Sequence, residues 1–166
     1  VCSSDLKHSK IGKEWNEQAA AFAKYVEGKT AAEVAGIAVD DSKHPTGADL
    51  TSSVTMSIGD LIEGVQKAVK NAKDLGAKGS DNLGLGITTS ISDSKNATAN
   101  EDGTVSVYTH YSVTTVDSNG KITSSIIDAS QTKVNFDATG KIKSDLNAAQ
   151  QTKNEIGDGY NMKGSS

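Results

Sequence analysis

Arginine is absent from the chain, and all seventeen basic side chains are lysine. Without guanidinium forks or a basic patch, nucleic acid is excluded as a partner, and phosphate recognition is left to backbone N–H groups, hydroxyls and lysine. The net charge of −4 is spread along the chain and marks no acidic or basic tail. Aromatic residues make up only 4% of the 166 residues, with Trp15 the sole tryptophan, so the core is expected to be thin and built from Ala, Val and Ile. No apolar run approaches the roughly 20 residues of a membrane span. The single cysteine, Cys2, lies in Val1–Leu6. That hexapeptide is what a common sequencing-adapter tail encodes, and it is expected to be a scar without packing partners. With it set aside, no disulfide, thiolate nucleophile or cysteine metal site remains, and the lack of a signal peptide is uninformative.

What is present reads as one domain over residues 7–166, helical in 7–76 and strand-like in 83–166, with a linker at 77–82. Ile11, Trp15, Ala19, Phe22 and Val26 form a helical stripe, with Ser9 as N-cap and Gly28 as the stop. Thr30 and Glu33 make a capping-box pattern for a short helix closed by Gly36. Leu61, Ile62, Val65, Ala68, Val69 and Ala72 predict an amphipathic helix over 58–75, capped by Gly76. Strands are predicted at 85–92, 104–116 and 121–129, with a hairpin at Asn119–Gly120 and an echo of that turn at 137–142. Residues 144–156 are helix-compatible, anchored by Leu146 and Ile156. The expected class is α+β, an antiparallel sheet of four or five strands with amphipathic helices packed on one face.

One stretch carries a hint of chemistry. Asp49, Thr51, Ser52, Ser53, Thr55 and Ser57 crowd into the segment that runs straight into the 58–75 helix. Unpaired N–H groups and the dipole at a helix start attract anions, so a phosphate fits there. The plain alternative is a Ser/Thr-rich helix start in which one hydroxyl caps and the rest are solvated.

These residues resemble the motif of the FMN-binding domain family, found in the sodium-translocating NADH:quinone oxidoreductase, its Rnf relatives and Gram-positive surface lipoproteins. That motif reads Asp, two variable residues, Ser or Thr, Gly, Ala, Thr. Asp49, Ser52 and Thr55 match it by position; Ser53 and Val54 replace its Gly and Ala. Further segments, 11–30, 116–129 and 152–166, are similar to clostridial surface proteins that carry this domain in repeated copies. In those relatives a segment like the last runs directly into one like the first. The resemblance implies FMN joined to Thr55 by a flavin transferase, with Asp49, Ser52, Ser53, Thr55 and Ser57 around the phosphate. It also implies an extracellular or cell-surface location, a redox partner, neighbouring copies of the same domain, and membrane attachment only through an anchor outside this sequence. A fold-sharing structural or adhesive module without flavin is the alternative.

Other groups read as bland. Asp40, Asp41, Asp117, Asn119 and Asp137 lack the spacing of a calcium loop and fit turn chemistry. His8, His44 and His110 are scattered, without metal spacing or a Ser–His–acid arrangement, so no hydrolase site is assigned. Trp15, Tyr108, His110 and Tyr111 are candidates to flank a flavin ring, with core packing the plainer role.

Overall fold

A computed structural model describes residues 9–164; the expected scar Val1–Leu6 and His8 lie outside the described residues. The chain is mixed α and β and divides into two compact units between Lys73 and Asp74, just ahead of the predicted linker.

The first unit holds α1 (Trp15–Val26), α2 (Ala31–Ala35), α3 (Ala48–Thr51) and α4 (Gly59–Asn71). Helix α1 starts later than its stripe predicts, because Gly12 is left-handed at φ 66° and breaks any helix begun at Ile11. Glu14 is the N-cap, its N–H donating to the Glu17 carboxylate at 2.9 Å, while Ser9 Oγ accepts from Lys13 N–H at 3.3 Å. Gln18 and Phe22 are the buried residues of α1; Trp15 lies on the same stripe but, in the first turn, is 56% exposed. Thr30 and Glu33 form the expected capping box on α2, and Val34 is buried beneath it.

The core of this unit is Phe22, Leu50, Val54 and Ile58, flanked by Ile37, Val39, Met56, Leu61, Ile62 and Val65. Leu50, Val54 and Ile58 recur every four residues although no single helix carries them. The Leu50 carbonyl accepts from both Ser53 and Val54 N–H, extending the turn of α3, and the Ile58 carbonyl then accepts from Ile62 to open α4. Burying each such side chain contributes about 1.5–3 kcal/mol, which outweighs the modest Ser/Thr helix propensity of this segment. Helix α4 ends at Asn71, before the predicted Gly76 cap; Asp74 Oδ1 accepts the Gly76 N–H at 2.9 Å in a local turn instead.

The second unit is an antiparallel sheet in the order β1 (Asn82–Ser90), β2 (Gly103–Val116), β3 (Ile122–Phe136), followed by α5 (Lys153–Ile156) and two 3₁₀ turns at Gly157–Tyr160 and Met162–Gly164. The sheet has three strands among the described residues against the four or five expected. After β3 the described chain makes two isolated bridges, Phe136 with Ile142 and Ser130 with Thr152, and the polar stretch between them leaves Leu146 65% exposed. The helix predicted over 144–156 shrinks to the single turn that Thr152 and Glu155 cap.

The two turns do echo one another. Gly120 and Gly140 are left-handed at φ 79° and 82°, and each donates its N–H to the carbonyl of the aspartate three residues earlier. Cross-strand register puts Leu83, Leu85 and Ile87 opposite Thr115, Val113 and Tyr111, on the face that also carries Val105, Val107 and Ile126. The other face is polar, with Ser106, Tyr108, His110, Ser112 and Thr114 along β2.

Candidate functional site

The hydroxyl cluster is not on the first turn of the long helix. Asp49 belongs to the four-residue α3, and Ile58 is the N-cap of α4. The Ile58 N–H donates to the Lys43 carbonyl at 2.9 Å. Lys43 itself is left-handed at φ 66°, which turns that carbonyl toward α4. The approach is close at Gly59, where a Cβ would come within 3.0 Å of the Lys43 side chain and require it to shift.

Asp49 Oδ2 accepts the Tyr25 hydroxyl at 2.7 Å. That bond is the largest cause holding the carboxyl below its ordinary range; burial opposes it, and the backbone N–H groups of residues 49 and 50 and the Lys29 charge reinforce it. The same bond to Asp49 raises the Tyr25 phenol. Asp49 therefore ties α3 to α1.

Thr55 is fixed from α1 as well. Gln18 is 1% exposed, and its Oε1 accepts the N–H of Thr55 at 2.8 Å and of Met56 at 3.1 Å, with the Thr55 hydroxyl at 3.4 Å. Its Nε2 donates to the Lys13 carbonyl at 3.0 Å and to Ser9 Oγ at 3.4 Å. Gln18 thus takes up two backbone donors that the sequence alone leaves open to an anion. Sequence inspection missed this residue, although its place one turn before Phe22 on the buried face was a usable signal. Ser52 and Ser57 are exposed and Ser53 half-buried, and none of the three hydroxyls has a hydrogen-bond partner among the described residues.

Thr55 and Thr51 open onto a cleft of about 530 Å³ that Lys10, Asp40 and His44 also line. Asp49, Ser52, Ser53 and Ser57 do not line it. Asp40 Oδ1 accepts the N–H groups of Ser42 and His44, each at 2.9 Å, and His44 Nδ1 lies 3.4 Å from Asp40 Oδ2. The His44 N–H is the largest cause of the lowered Asp40 carboxyl. Among the described residues the cleft thus offers two hydroxyls, one ammonium and one imidazole, with its carboxylate, Asp40, already engaged. The part played by Thr51, Lys10 and His44 is hidden in the sequence because their grouping depends on the 40–45 turn, where Val39 bridges Pro45.

Of the remaining candidates, Tyr108, His110, Tyr111, Asp117 and Asp137 have structural partners, while Trp15 is exposed. Tyr108 and His110 stack at 4.3 Å between ring centroids, and Lys153 lies 4.5 Å over both the Tyr108 and Tyr160 rings. Tyr108, then Tyr160, raises the Lys153 ammonium. The Tyr111 hydroxyl pairs with Ser130 Oγ at 3.0 Å. Asp117 and Asp137 accept backbone N–H groups within their own turns. Among the described residues no three His, Cys, Asp or Glu side chains gather as a metal site, and no helix is long and apolar enough to cross a membrane. Comparison with protein-family models, curated proteins and solved structures finds no match to this chain.

Proposed function

We propose that this chain is an extracytoplasmic, FMN-binding-like module of a bacterial surface protein, carrying electrons through a flavin held at Thr55. The observation behind this reading is the half-buried Thr55 hydroxyl, fixed by Gln18 beside a cleft that also presents Thr51, Lys10 and His44. Those groups suit a phosphate ester, and the volume suits the phosphate with its sugar-alcohol chain. Among the described residues no Trp, Tyr or Phe lines the cleft, so an isoalloxazine ring would extend beyond it. Bound flavin supplies the redox chemistry. The protein's part is to orient Thr55 Oγ1, to neutralise the phosphate with the Lys10 ammonium, and to keep Asp40 occupied with His44. A flavin transferase and a redox partner belong to this reading, as does the fuller fold expectation of four or five strands with helices over one face.

One observation favours a second reading, a structural or adhesive repeat module without flavin. Val54, where the resembling motif has Ala, is fully buried in the core, and the neighbouring N–H groups of Thr55 and Met56 are taken by Gln18. Co-expression with a flavin transferase decides between them. The expected result is the gain of one FMN mass, lost in Thr55→Val while the fold persists. Ser53→Gly brings the motif closer to the family pattern without touching the core, so absence of flavin from both the parent and this variant would leave the structural module standing.

A further inference from the structure

The polar face of the sheet holds a second cleft, of about 770 Å³, that the flavin reading does not use. Lys95 bridges Thr104 through paired backbone bonds of 2.8 and 2.9 Å, and Thr104 in turn pairs with Asn135. Directly opposed residues share a face, so Lys95, Thr104 and Asn135 form one row and Ser106 with Lys133 the next. The Thr104 hydroxyl donates to Asn135 Oδ1 at 2.8 Å, which leaves the Asn135 amide NH₂ as a donor. Neither Lys95 nor Lys133 has an ion-pair partner among the described residues.

Ser106 lies under this surface, 1% exposed, and its hydroxyl has no hydrogen-bond partner among the described residues. Its backbone, by contrast, is fully used: Ser94 Oγ accepts the Ser106 N–H at 3.0 Å and donates to the Ser106 carbonyl at 3.4 Å. A buried hydroxyl left without a bond is costly, and such groups are rare in native proteins. Gln131 adds a further amide, and among the described residues Asp93 is the one carboxylate lining the cleft.

This inventory has two ammonium groups and several amide and hydroxyl groups against a single carboxylate. One carboxylate is too few for a hard divalent cation. Among the described residues no aromatic or large apolar side chain lines the cleft to receive a base or a greasy tail. Amides, serine hydroxyls and one carboxylate match the mixed donors and acceptors of sugar hydroxyls, while the lysines match an oxyanion. We propose that this cleft binds a sugar carrying an oxyanion, supplied either as a phosphate ester or as a uronic-acid carboxylate. With no ring to stack on, charge provides much of the affinity, and binding falls as salt rises.

The test titrates the full chain, followed by amide NMR, with glucose 6-phosphate, glucuronate, glucose and inorganic phosphate at millimolar concentration. Expected are salt-sensitive shifts at residues 92–95, 104–106 and 131–135 with one or both charged sugars, and which of them acts identifies the source of the oxyanion. The double variant Lys95→Gln, Lys133→Gln, both at exposed positions, should weaken binding by about tenfold or more with spectra otherwise unchanged. No shift with either charged sugar overturns the proposal. So does equal binding of glucose, a response to inorganic phosphate only, which marks an adventitious ion only, or undiminished binding by the double variant.

Discussion

The two units solve the problem of stability differently. In the first, Phe22, Leu50, Val54 and Ile58 are each at most 3% exposed and meet in one cluster. In the second, Ala129 is the one buried apolar side chain among the described residues, while Leu83, Leu85 and Ile87 are 73%, 66% and 56% exposed. The sheet is held by its backbone ladders and by cross-strand hydroxyl pairs, such as Thr89 with Thr109 at 3.1 Å and Thr114 with Ser125 at 2.9 Å. Each such pair contributes about 0.2–1 kcal/mol, less than one buried isoleucine. The lesson is that large apolar side chains serve packing in one unit and lie open in the other.

Truncation tests this contrast most directly. Ile58→Ala should cost about 2–5 kcal/mol in chemical denaturation, because it empties a fully buried site. Next in size is Gln18→Leu, which keeps volume but strands the N–H groups of Thr55 and Met56; a loss of about 2 kcal/mol is expected. A smaller effect is expected from pH. The Asp49 carboxyl is held below its ordinary value of 3.8, so its stabilisation is present above that value and is lost as pH falls through the lower folded value. Tyr25 is raised above its ordinary value of 10.0, so its share is present below that pH and is lost as pH rises through the raised value. Tyr25→Phe should therefore flatten the stability profile at both extremes, measured as denaturation midpoints across pH. Smallest of all is Ile87→Thr, expected to change stability within about 0.5 kcal/mol, since the side chain is mostly exposed and threonine suits a strand. A loss at Ile87 matching that at Ile58 would erase the contrast between the units.

Local signals were legible in the sequence wherever the physics is local. Thr30 with Glu33 capped α2, and Asn119–Gly120 turned β2 into β3. The α1 boundary was misplaced because hydrophobic spacing cannot report that Gly12 is left-handed. Residues 144–151 have helix-compatible composition but no buried anchor, and short helices without packing do not persist. The site was legible only in part. Thr55 stood out as a hydroxyl, but its setting depends on Gln18, 37 positions earlier, and on the His44 turn, contacts that no spacing rule encodes. Val54 reads as a motif departure in sequence and as a core residue in space.

The twin turns after β2 and β3 age differently. Asn119 precedes Gly120, the pairing most prone to deamidation, in which the glycine nitrogen attacks the asparagine amide and expels ammonia; Thr139 before Gly140 has no such reaction. In the folded chain the Gly120 N–H is already bonded to the Asp117 carbonyl at 3.0 Å, and Asp117 Oδ1 also holds the Asn119 N–H at 2.8 Å. Attack requires that small network to open. The rate at which Asn119 turns to aspartate and isoaspartate is therefore a built-in clock for the opening of one hairpin, and its neighbour keeps no such record.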